Sequence, residues 1–149
     1  NVINARVNNA SGVNLTSAFS IRNLTISRGN LTGAGSLAYN GTTSLLTYNS
    51  STGNQTASSV EFPSSTGPSS LTINNTNVSP NNIVTVPFSR TLIGAAGVLT
   101  FTAGILDNST YVLTLSNTAT GAISGGSTTT YAKGAIERSL PLSLVSGST

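Results

Sequence analysis

Three side chains could do acid–base work in this chain, because Glu61, Asp107 and Glu137 are its only carboxylates. Glycoside hydrolysis would need two of them facing one cleft, one to protonate the leaving oxygen and one to attack or to activate water. Each stands beside a turn or at a strand end, so all three read as solvated edge residues. His and Cys are absent, which removes the usual ligands of a metal site and the usual members of a nucleophile–base pair. The expectation is no catalysis, no metal and no cofactor.

Two other residue types could carry function. Asn9, Asn14, Asn23, Asn30, Asn40, Asn49, Asn54, Asn74, Asn77 and Asn108 each open an Asn-x-Ser/Thr sequon and are candidate glycosylation sites. A chain this rich in Asn, Ser and Thr also generates sequons by chance. Tyr39, Tyr48, Tyr111 and Tyr131 are candidate stacking platforms for sugars, and the competing reading is that each closes the core at a strand end. Thr-rich runs such as "LTFT" and "STTTY" raise an ice-binding face. That function requires a regular array, and the Thr-x-Thr spacing does not persist along the chain, so hydroxyls on water-facing strands are the simpler reading.

The elements that must position these residues are strands. β-Branched and hydroxyl residues dominate, and no window carries a helical 3.6-residue period. Candidate strands are Ile3–Val7, Val13–Ile21, Asn23–Ser27, Ser36–Tyr39, Ser44–Tyr48, Ser59–Phe62, Leu71–Asn74, Ile83–Phe88, Arg90–Ile93, Val98–Thr102, Tyr111–Ser116, Ala122–Ile123, Thr128–Lys133 and Ala135–Arg138. Gly, Asn or Pro punctuates nearly every gap between them. The stretch "VLTFTAGILDNSTYVLTL" (Val98–Leu115) shows the pattern best: alternation, a break at Gly104, then alternation again.

Only 6% of the residues are charged and 37% are apolar, where about 25% and 45–50% are usual. Ser, Thr, Asn and Gly fill the difference. Such a composition can describe a solvated stalk, but a mean hydropathy of +0.13 and runs such as "NIVTVPF" supply buriable surface. A folded domain is expected, with Asn49–Ser70 its loosest part. The net charge of +3 comes from residues scattered singly. There is no basic stripe with interleaved aromatics to suit nucleic acid, and no apolar run of the roughly 18 residues a membrane helix needs. Lack of cysteine suits a location outside the cytoplasm without disulfides. Lack of any Met reads as a processed product or a piece of something longer, with any signal segment removed.

Three pairs of segments match one another. "LTISRGNLTG" (Leu24–Gly33) lines up with "LTFTAGILDN" (Leu99–Asn108), "LLTYNSSTG" (Leu45–Gly53) with "VLTLSNTATG" (Val112–Gly121), and "VNNASGVNLTS" (Val7–Ser17) with "INNTNVSPNNIVTV" (Ile73–Val86). They describe one module, 1–149, built of two diverged repeats, about 1–58 and 71–141, joined by "EFPSSTGPSS". The fold expected is all-β, a parallel β-solenoid of short strands, with a β-sandwich exchanging strands between subunits as the alternative. Scarcity of charge favours the solenoid, since stacked coils put like residues above like. Pairs such as Asn74-Asn75 and Asn81-Asn82 would supply Asn ladders at its turns.

"LTFTAGILDNSTYVLTLSNTATGAISGGSTTTYAKGAIERSLP" (Leu99–Pro141) resembles a repeat of the very long, repetitive cell-surface proteins of Bacteroidota and related bacteria, and "VEFPSSTGPSSLTINN" (Val60–Asn75) resembles the segment preceding it. The resemblance implies a secreted, β-helical, structural module exported by the type IX system, with no active site. The family's Gly-Pro-Leu is Gly134-Ala135-Ile136 here, and its C-terminal sorting domain is not among these residues.

Apolar alternation begins at "VINARV" and continues to "LPLSLV", with no charged or Pro-rich cap. Uncovered solenoid ends accept further strands, either flanking repeats of the same polypeptide or copies of the chain. The function expected is an extracellular structural or adhesive protein at the cell surface, the repeating subunit or segment of a filament. Alternatives are a carbohydrate- or ice-binding module, with surface glycans as partners, and a virion or tail-fibre segment. Arg6, Arg22, Arg28, Arg90, Lys133 and Arg138 read as edge gatekeepers.

Overall fold

A computed structural model of the chain describes residues 3–141. Its strands are β1 (Asn4–Asn8), β2 (Val13–Asn14), β3 (Phe19–Ile21), β4 (Asn23–Arg28), β5 (Leu31–Thr32), β6 (Leu37–Tyr39), β7 (Leu45–Tyr48), β8 (Gln55–Thr56), β9 (Ser70–Asn74), β10 (Ile83–Thr85), β11 (Arg90–Leu92), β12 (Leu99–Ala103), β13 (Ile105–Leu115), β14 (Ile123–Gly125) and β15 (Ala132–Arg138). Every pairing among them is parallel. That is incompatible with an antiparallel sandwich, and the chain is a β-solenoid of about 6 turns.

Each coil has three sides. The first is a six-stranded sheet in the order β1-β4-β7-β9-β12-β14. On the second, β10 lies between β8 and the start of β13, which pairs in turn with the start of β15. On the third, β11 pairs with the later part of β13, and that part with the end of β15. The β2–β5 and β3–β6 pairs carry the second and third sides through the first two coils.

Period-two alternation is what makes these strands, because each must give one residue to the core and the next to water. On the first side Leu24, Leu46, Leu71 and Leu99 stack in register and point inward, as do Val7, Ile26, Tyr48, Ile73 and Phe101 two positions on. Leu46, Leu71 and Leu99 have no exposed surface, and burying each stabilises the fold by about 1.5–3 kcal/mol. Between these columns Thr25, Thr47, Thr72, Thr100 and Ser124 stack outward. Asn ladders form as well, with Asn23 Nδ2 donating to Asn4 Oδ1 at 2.8 Å and Asn74 Nδ2 to Asn49 Oδ1 at 3.1 Å.

The break at Gly104 is a corner: β12 belongs to the first side and β13 begins the second. Gly104 has φ +87°, and a Cβ there would stand 2.6 Å from the Asn82 carbonyl oxygen of the coil before. Only glycine meets both demands.

Several sequence expectations change. Val13–Ile21 is two strands with a corner between them, because a three-sided coil must turn inside it. Ser59–Phe62 is a turn. Asn49–Ser70 is packed: it contains β8 and the buried Glu61, Phe62 and Ser69. The matched segments Leu24–Gly33 and Leu99–Asn108 do occupy equivalent places, but Leu45–Gly53 begins on a first-side strand and Val112–Gly121 on a third-side one, so the structural repeat is the single coil. The run "LPLSLV" lies largely outside the described residues.

Candidate functional site

The three carboxylates lie apart. Asp107 sits on the outer face of the second side with Lys133 Nζ 3.1 Å from its Oδ2, and Glu137 is exposed on the third. Glu61 overturns the expectation of a solvated edge residue, for it has no exposed surface. Its Oε1 accepts from the Tyr48 hydroxyl at 2.9 Å and the Ser58 N–H at 3.0 Å, and its Oε2 accepts from the Leu31 N–H at 2.7 Å. Ser58 Oγ lies 3.2 Å from Oε2 and donates to the Leu31 carbonyl at 2.6 Å.

This arrangement follows from a gap in the third coil. β5 has no strand partner on that coil, because β8 pairs with β10 and stands away from β5 across a groove. The Glu61 carboxylate and Ser58 hydroxyl take the Leu31 N–H and C=O that a strand would have taken, so a buried backbone pair is not orphaned. Burial pushes the Glu61 carboxyl up from its ordinary value, against the pull of the Leu31 and Ser58 N–H groups and the Tyr48 hydroxyl. Burial likewise raises the Tyr39 and Tyr48 phenols well above theirs, and the Glu61 charge adds to it. The chemistry of the cluster is structural.

Tyr39 and Tyr48 are therefore corrected from stacking platforms to core residues. Tyr48 is fully buried on the carboxylate, and the Tyr39 hydroxyl donates to the Glu61 carbonyl at 2.8 Å. Tyr111 and Tyr131 are exposed, on different coils. Among the sequons, Asn9, Asn14, Asn40 and Asn54 are exposed, and Asn23, Asn30, Asn49, Asn74 and Asn77 are half-buried. Asn108 is corrected: it is buried, and its Nδ2, the atom a glycan would join, donates to the Tyr111 and Ala135 carbonyls at 2.7 Å each.

Of the basic residues, Arg6 on β1 and Lys133 and Arg138 on β15 lie on the first and last coils among the described residues. Arg90 does not. Its guanidinium lies 3.9 Å over the Phe88 ring and donates to the Phe62 carbonyl, so it is a packing residue. Arg22 bonds Thr43 at 2.6 Å, one coil away. The Thr column repeats more faithfully than the sequence spacing suggests, but the column beside it is mixed, running from Asn49 over Asn74 to Ala103.

The first coil exposes an apolar depression of about 210 Å³, lined by Val7, Val13, Leu15, Phe19, Ile21 and Leu24 among others. β1 pairs with β4 alone among the described residues. At the opposite end Ile123, Tyr131 and Leu140 are exposed. Among the described residues no group of three or more His, Cys, Asp or Glu could hold a metal, and no helix is long and apolar enough to cross a membrane.

Comparison with protein-family models, curated proteins and solved structures gives no match. The reading of function therefore rests on the molecule itself. The Glu61 cluster was missed by sequence reasoning, although a lone acid between Val60 and Phe62, in a chain so poor in charge, was a signal that it lay among apolar neighbours.

Proposed function

We propose that this chain is a module of an extracellular structural or adhesive protein, the repeating subunit or a segment of a cell-surface filament. Its partners in the rod are copies of itself or flanking repeats of the same polypeptide. The observation that carries the reading is the first coil, where inward-pointing Val13, Leu15 and Phe19 surround an apolar depression beside a strand that pairs on one side only among the described residues. A free strand edge above an apolar floor accepts another coil, since both its backbone groups and its core residues gain partners there. Head-to-tail contact of this kind does not close on itself and grows a rod. The neutral Thr and Asn columns suit that role, because they stack like on like without repulsion.

Negative-stain electron microscopy of the purified chain over a range of concentrations tests it. With six strands in the first-side sheet and about 4.8 Å between strands, the axial repeat should be roughly 30 Å. Filaments with that repeat are expected. Monodisperse particles at every concentration would sink self-stacking.

A further inference from the structure

At the corner between the first and second sides, the second and third coils enclose a groove of about 310 Å³. Arg28, Asn30, Thr52, Asn54, Gln55 and Thr56 line it, and no carboxylate does. The same short motif builds both of its walls: Gly29-Asn30-Leu31-Thr32 leads into β5 and Gly53-Asn54-Gln55-Thr56 into β8. Both glycines have positive φ.

The two motifs differ at the residue that faces the core. Leu31 is aliphatic, and the partners of Gln55 in the later coils are Val84 and then Leu106. Gln55 thus puts an amide into a column that is otherwise apolar. It is 6% exposed, its Nε2 is spent on the Ile26 carbonyl at 2.9 Å, and its Oε1 has no donor among the described residues. A buried acceptor without a donor is costly, and Asn82 Oδ1 and Asn108 Oδ1 share that state. Arg28 stands at the same groove, exposed and with no hydrogen-bond or ion-pair partner among the described residues.

We propose that the groove binds the ring of an acidic sugar. The Arg28 guanidinium would take the carboxylate, the planar acceptor that its paired N–H donors fit. Asn30, Asn54, Thr52 and Thr56 offer amides and hydroxyls to the ring hydroxyls. The volume lies at the small end of ligand sites, the size of one ring. This goes beyond the stacked-rod reading and does not depend on it, since rod assembly is read by microscopy and this site by titration.

The test is an NMR titration of the whole chain with methyl glucuronoside, alongside methyl glucoside and acetate. The uronoside should shift the amides of Gly29, Asn30, Gly53 and Asn54, and the glucoside and acetate should bind at least about tenfold more weakly. Arg28→Gln should lose about tenfold in uronoside affinity, and Thr52→Val a smaller factor. Both residues are exposed, and an unchanged spectrum elsewhere would verify that each variant folds. Shifts that are absent or lie elsewhere, acetate binding as well as the uronoside, or variants binding like the wild type would each overturn the proposal.

Discussion

Replacing Glu61 with leucine tests whether the carboxylate does the work of a missing strand. The substitution keeps the buried volume apolar and removes the acceptor of the Leu31 N–H, the Ser58 N–H and the Tyr48 hydroxyl. Each buried donor left without an acceptor costs about 1–3 kcal/mol. Three of them sum to about 5 kcal/mol, and relief of the carboxylate's own desolvation returns part of that. A domain of this size is stable by only about 5–15 kcal/mol, so a net loss of about 2 kcal/mol or more would be a large share of its stability. Urea unfolding followed by far-UV circular dichroism measures this directly, with Glu137→Leu as the control. Glu137 is exposed, and its replacement should fall within about 0.5 kcal/mol of wild type. A Glu61→Leu variant that also fell within 0.5 kcal/mol would refute the idea that the carboxylate replaces a strand, because the Leu31 and Ser58 donors would then have other means of satisfaction.

Two further outcomes follow from the same core. Burial raises the Glu61 carboxyl in the folded chain, so between the ordinary glutamate value and the raised one the folded state holds more protons than the unfolded state. The contribution of Glu61 is complete below the ordinary value and is lost as pH rises through the raised one. Urea midpoints measured from pH 4 to pH 8 should fall over that window in the wild type, and Glu61→Gln should flatten that fall; an equal fall in both would assign the dependence elsewhere. Leu71→Ala, at a fully buried site in the middle of the first-side sheet, should cost about 2–5 kcal/mol, and a loss below 1 kcal/mol would mean that the Leu column does not form the core.

Strands and their inward faces were legible because alternation is a local signal: "LTFTA" and "SLTIN" state which residues enter the core without reference to anything distant. Stacking was less legible. The coils differ in length, so Leu46, Leu71 and Leu99 recur at no fixed period, and the eye pairs Leu45–Gly53 with Val112–Gly121 although they start on different sides. Glu61 was illegible for a related reason. Its burial comes with a ladder that β5 and β8 do not form, and the residue it serves, Leu31, lies on the coil before. Asn108 carries a perfect sequon, yet its place at a bend inside β13 turns the same amide inward to brace the Ala135 carbonyl. In each case the deciding contact comes from a neighbouring coil, and local spacing does not encode it.

The outward Thr and Asn columns bear on how the solenoid responds to salt. Stability built on ion pairs changes with salinity, because dissolved salt shortens the reach of charge from about 30 Å in dilute water to about 3 Å at 1 M. Here Lys133–Asp107 is the one ion pair among the described residues, and the long sheet face is held by backbone ladders, hydroxyls and amides that carry no net charge. A solenoid held in this way should unfold at nearly the same urea concentration in dilute buffer and in 1 M salt.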